Sequence, residues 1–127
     1  MADDYKPGVR AVDDLPADNR RGGDVRTLLS PKTVGSSTGF MGVATIPAGD
    51  WIAEHYHPYS EEFVYVVSGN LVAELDGERH DVPARHGLFV PINVRHRLRN
   101  EGEEDAFIVF HLSPLAPEPP LGHVDTE

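Results

Sequence analysis

Along most of its length the chain alternates short apolar runs with Gly, Pro, Asn and Asp, and that pattern predicts strands. The runs fall at 25–29, 40–46, 52–57, 62–67, 71–75, 78–82, 87–90, 96–99 and 106–112. Nothing between them has helical periodicity over more than a turn. In the run opened by Glu62, a period of two sets Val64 and Val66 on the same, inward face with it. The "SGN" and Asp76–Gly77 steps suit tight connections between neighbouring strands. Many short strands at regular spacing imply an all-β sandwich or small barrel.

The ends read differently. Residues 1–24 are polar and broken by "DNRRGGD", which predicts an N-terminal arm packed loosely or crossing to a neighbouring subunit. The segment 114–127 is too rich in proline for a sheet interior and is expected to be an extended surface tail. Residues 25–113 are left as the folded domain.

Charge narrows the partners. With 21 acidic and 11 basic side chains the formal net charge is −10, which suits neither nucleic acid nor an anionic membrane surface. No apolar run approaches the roughly 20 residues of a membrane span, and the start of the chain has no apolar signal core. A cytoplasmic protein is expected. There is no cysteine, so any bound metal must rest on nitrogen and oxygen ligands.

Candidate ligands lie in "AEHYHPYSEEFVYVVSG", residues 53–69. If the stretch up to residue 57 is extended, His55 and His57 project from the same side. Glu61 and Glu62 open the next strand, where a returning carboxylate can join two imidazoles around one ion. A third histidine is available in "VPINVRHRLRN", at His96.

These segments resemble the two motifs of the cupin family. Gly49, His55-x-His57, Glu62 and Gly69 keep the first motif's spacing, and Pro91, His96 and Asn100 keep the second's. Asn93 and Arg85 stand where the second motif usually has glycine. The resemblance implies a double-stranded β-helix, with His55, His57, Glu62 and His96 holding a divalent ion. It puts Glu62 ahead of its neighbour Glu61 as the acidic ligand. "RRGGDVRTLLSPKTVGSSTGFMGVAT", "EHYHPYSEEFVYVVSG", "GLFVPINVRHRLRNEGE" and "LGHVDTE" are similar to the small cupins of bacterial aromatic polyketide pathways, the tetracenomycin-type and spore-pigment cyclases.

That likeness implies a metal-dependent polyketide cyclase. It would act on a small-molecule polyketide, free or bound to a carrier protein, with zinc favoured over iron, nickel or manganese. Two other readings stay open: an iron-dependent oxygenase acting on an aromatic polyketide, and a non-catalytic cupin that binds a ligand or stabilises a synthase. Glu61, His111 or hydroxide on the ion are the candidate general bases. His111 either faces the cavity or is a buried histidine bonded to backbone. His80 and His86 are expected in solvent, and His123 on the exposed tail. Phe40, Met41, Trp51, Tyr65, Phe89, Phe107 and Phe110 are candidates for the cavity wall. Arg20, Arg21 and Arg26 are candidate contacts to a carrier or to substrate oxygens. A homodimer is expected, since an exposed sheet edge invites pairing.

Overall fold

A computed structural model describes residues 8–127; the first seven positions of the arm lie outside the described residues. Its strands are β1 (Asp24–Leu29), β2 (Phe40–Ile46), β3 (Trp51–Tyr56), β4 (Glu61–Ser68), β5 (Asn70–Leu75), β6 (Glu78–Pro83), β7 (Gly87–Val90), β8 (His96–Arg99), β9 (Ala106–Ser113) and β10 (Val124–Asp125). One short helix, α1 (Pro31–Val34), follows β1. The first nine strands begin and end within a residue or so of the runs read from the sequence. All are antiparallel, in two sheets ordered β1-β2-β9-β4-β7 and β10-β3-β8-β5-β6.

The period-two pattern explains why the sheets close on one another. Ala44, Ile46, Val64, Val66, Ile108 and Phe110 of one sheet meet Ile52, Leu71, Ala73 and Leu98 of the other in a single buried cluster. Burying such side chains is the main force holding the two sheets face to face. Gly42 makes room for one of them. A Cβ there would lie 2.4 Å from the Phe110 ring and 2.5 Å from the Arg26 carbonyl.

Both departures from glycine have a conformational counterpart. Arg85 and Asn93 each adopt φ of +68°. Asn tolerates that left-handed geometry, whereas Arg at such a position costs roughly 1–2 kcal/mol. Asn100 clips the loops at the far end of the barrel. Its buried amide donates to Ile46 O at 2.8 Å and Glu104 O at 2.7 Å, and its Oδ1 accepts from Gly102 N at 3.0 Å.

The tail departs from expectation. It leaves β9, is held by the Ser60 hydroxyl on Pro114 O, and returns to pair β10 against Tyr56 and His55 of β3. Glu127 fastens its end, accepting from Glu54 N at 2.6 Å, Arg97 Nε at 2.7 Å and Trp51 Nε1 at 3.2 Å. Prolines bar this segment from a sheet interior, yet two residues at an edge pair without difficulty. The described part of the arm also folds onto its own sheet, where Arg26 Nη1 donates to the carbonyls of Val12 and Leu15.

Candidate metal centre

His55, His57, Glu62 and His96 converge at one end of the barrel, each supplying a ligand atom within 4.8 Å of the others. Strand alternation alone does not produce this arrangement. Ile52 and His55 both face inward although they are three residues apart, because β3 carries a bulge between them opposite the regular β8. The bulge resets the phase, so that His55 stands directly across from His96. His57 follows in the same phase, and Glu62 enters from the head of β4. All four side chains are buried, with His96 only 1% exposed.

Hydrogen bonds orient the rings. His55 Nδ1 lies 2.8 Å from Ala53 O, His96 Nδ1 2.9 Å from Val94 O, and His57 Nδ1 2.9 Å from Gly122 O. A carbonyl only accepts, so each Nδ1 carries a proton and each Nε2 is turned inward. Glu62 Oε1 meets these nitrogens at 3.0 Å from His96 Nε2 and 3.2 Å from His57 Nε2. Three nitrogen lone pairs aimed at a carboxylate repel unless a cation or a proton sits among them. The donor set therefore fits a divalent ion of borderline character.

The same contacts shift the protonation of these groups. Burial, together with the neighbouring His96, pushes His55 down to about 3. Burial alone would raise Glu62, but its hydrogen bonds with His57 and His96 outweigh that and hold the carboxyl below its ordinary range. His96 is raised, because bonding to Glu62 overcomes its own desolvation. The group is poised to be a carboxylate among imidazoles.

Around the cluster lies a cavity of about 190 Å³ walled by Ile52, Phe40, Leu98, Ile108, Phe110 and Leu112, with Asp18, Arg21 and His123 also in its lining. Of the aromatic residues proposed from the sequence, Phe40 and Phe110 line it. Trp51, Tyr65 and Phe89 do not; they are exposed. Met41 and Phe107 alternate out of phase with the cavity-lining residues of β2 and β9, so they too lie outside it.

Three expectations need correction. His111 does not face the cavity: it falls between Phe110 and Leu112, which point inward, and is turned to solvent beside the Phe63 ring at 6.0 Å. Glu61 likewise alternates with Glu62 and lies off the cluster, opposite Ser113. Neither side chain is placed to act as a base in the cavity. His123, expected at the surface, instead stacks on His55 with ring centroids 4.2 Å apart and planes inclined by 12°. Its Nε2 lies 2.9 Å from Asp125 Oδ1, and Asp125 is gripped in turn by Arg21 Nε at 2.7 Å. Burial and then the Arg21 charge push His123 down to about 4. Among the candidate carrier contacts, Arg20 is paired with Asp18 and Arg26 with Asp24. His80 and His86 are exposed, as expected.

Comparison with known proteins follows the same lines. A family model described as "Cupin domain" matches residues 42–112. The chain is 58% identical to the polyketide synthase CurC of Streptomyces cyaneus over 98% of its own length and 81% of that protein's. It is 43% identical to the tetracenomycin polyketide synthase protein TcmJ of Streptomyces glaucescens, over 92% of this chain and 78% of that one. Among solved structures, the Streptomyces nucleoside dehydratase Pac13 superposes with a TM-score of 0.78 at 19% identity, covering 96% of this chain and 92% of Pac13. A double-stranded β-helix protein from Klebsiella pneumoniae gives 0.76 at 19% identity, covering 96% of this chain and 99% of that one. At such identities the two structures speak to the fold alone.

Proposed function

This chain belongs to the cupin domain family, and on that premise we propose that it is a metal-dependent polyketide cyclase, promoting aldol-type ring closure and aromatisation of a poly-β-ketone. One observation carries the reading. Three imidazoles with their Nε2 atoms fixed inward meet a carboxylate in an apolar cavity, in a chain with relatives named as polyketide synthase proteins.

His55, His57, Glu62 and His96 would hold a divalent ion, with zinc favoured because the ring closure transfers no electrons. Such an ion supplies Lewis acidity, making a methylene between two ketones more acidic. The protein does the rest. The walls formed by Phe40, Ile108 and Phe110 exclude water and fold the flexible chain so that two of its carbons meet. His123, which lines the cavity and whose imidazole burial keeps neutral, is the candidate base. Asp125 accepts from His123 Nε2–H, which leaves the Nδ1 lone pair to take a proton from the methylene carbon. That carbon attacks a carbonyl further along the same chain, a C–C bond forms, and the new oxyanion takes up a proton. Loss of water and enolisation then give the aromatic ring, with no oxidant consumed.

The test is ring closure of a poly-β-ketone by purified protein under strict anaerobic conditions, before and after chelation. Oxygen-independent cyclisation that chelation abolishes and zinc restores is the expected result. Cyclisation that needs oxygen, or that survives complete metal removal, would overturn the reading.

A homodimer belongs to the same proposal. On the outer face of the sheet, the half formed by β4 and β7 leaves Phe63, Tyr65 and Phe89 exposed by 44%, 45% and 46%, with Val67 beside them. The three rings alone offer roughly 250 Å² of apolar surface, a fair core for an interface of about 800 Å² per partner. A second copy, bringing the same three rings, is the occupant this proposal assigns to the patch.

A further inference from the structure

The metal-site cavity, at about 190 Å³, falls short of the roughly 300–1,000 Å³ typical of small-molecule sites. It does not end at the cluster. A second chamber of about 550 Å³ adjoins it, and the two share Thr27, Phe40, His57 and His123 in their walls. The outer chamber lies between α1 and the returning tail, with Leu115, Ala116 and Pro119 on the tail side and Pro31 and Lys32 on the helix side.

Its wall is chemically distinctive. The hydroxyls of Ser36 and Ser60 are spent on Gly39 O and Pro114 O. Among the described residues no acidic side chain lines it, in a chain that carries 21 of them, and Lys32 is its one formally charged side chain. Lys32 is held at this rim by a capping box, in which Ser30 N donates to Thr33 Oγ1 at 2.8 Å and Thr33 N to Ser30 Oγ at 3.3 Å. A greasy chamber lined by one lysine, sharing Thr27, Phe40, His57 and His123 with the cavity around the cluster, suits an apolar chain that ends in an anion.

We infer that this outer chamber binds the part of the substrate remote from the cluster, and that this part ends in an anionic group engaged by Lys32. The inference rests on the cyclase reading for the identity of the substrate, but not for the existence of the site. The anion has two possible sources, the substrate's own carboxylate or the phosphate of a tether that carries it.

Three probes that share one ring system separate these ideas: 2-naphthoate, 2-naphthyl phosphate and uncharged 2-naphthamide. Their binding is measured by calorimetry on the full chain, both as isolated and after chelation, so the outcome needs neither turnover nor a bound ion. Both anions, or one of them, should bind about three- to tenfold tighter than the amide, with the gap narrowing in high salt. The tighter of the two names the source. Lys32→Gln should erase the gap while leaving amide binding unchanged. Ala116→Trp, or Leu115→Trp should the first disturb folding, should weaken all three probes about tenfold or more. Equal binding of amide and anions by the unaltered protein, or a gap that survives Lys32→Gln, would overturn the anion assignment. Unchanged affinities in the correctly folded tryptophan variants would overturn the chamber itself.

Discussion

His123 lies flat against His55, the two rings 4.2 Å apart and nearly parallel, although one sits on the tail and the other on β3. Pairing of β10 with β3 creates the contact, because Asp125 stands across from His55 and brings the residue before Val124 over the cluster. The tail also supplies the Gly122 carbonyl that fixes His57. A proline-rich end thus forms part of the site.

If His123 is the base, His123→Gln should lower turnover by about 10²–10³-fold while metal content stays unchanged. His111→Ala, on the outer face, should leave turnover within about twofold. Steady-state cyclisation kinetics with elemental analysis of each variant check both expectations, and a larger loss at His111 would reverse the assignment.

The unaltered chain should bind about one divalent ion per copy, and His96→Ala should weaken that binding by at least about a hundredfold. At a hundredfold excess over Kd, zinc should stabilise the unaltered protein by about 2.7 kcal/mol and His96→Ala, at the same zinc concentration, by about 0.4 kcal/mol or less. Thermal unfolding with and without zinc measures the difference.

Asn100 satisfies two main-chain carbonyls from a buried position. Replacing it with alanine leaves both without their donor and should cost roughly 2–4 kcal/mol. Urea unfolding should register this as a lower midpoint, with metal affinity intact in the folded fraction.

Asp18, which lines the cavity, has its carboxyl lowered from 3.8 to about 2, chiefly by its hydrogen bond with the Arg20 side chain. A lowered carboxylate stabilises the fold above its unfolded value and loses that contribution as pH falls through the folded one. Asp18→Asn should therefore be less stable than the parent above about pH 4, and the two should converge near pH 2. Unfolding free energies across this range check the sign.

Phe63→Asp should convert a dimer into a monomer without loss of secondary structure, by placing a charge at the centre of the exposed patch. Sedimentation velocity at matched concentrations reads the change. A parent that runs as a monomer at all concentrations would remove the dimer from the proposal.

Much of the fold was legible in the sequence because strand alternation is local. The sets Val64–Val66 and Ile108–Phe110 declare their faces by period two alone. The same rule, applied to the run ending in "FHL", places His111 on the side opposite Phe110 and Leu112, and the structure follows it. His55, His57, Glu62 and His96 were identifiable by residue type and spacing, since metal ligation restricts both.

Tertiary structure decided what alternation cannot express. A bulge in β3 sets Ile52 and His55 on one side, and no local signal in the chain marks that phase change. The tail's role depends on contacts more than 60 residues apart in sequence, such as that from His57 to Gly122. Sequence fixes which side chains are available and which face each strand offers. Long-range closure of the chain decides which of them meet, because the free energy of those contacts exists only once both partners are in place.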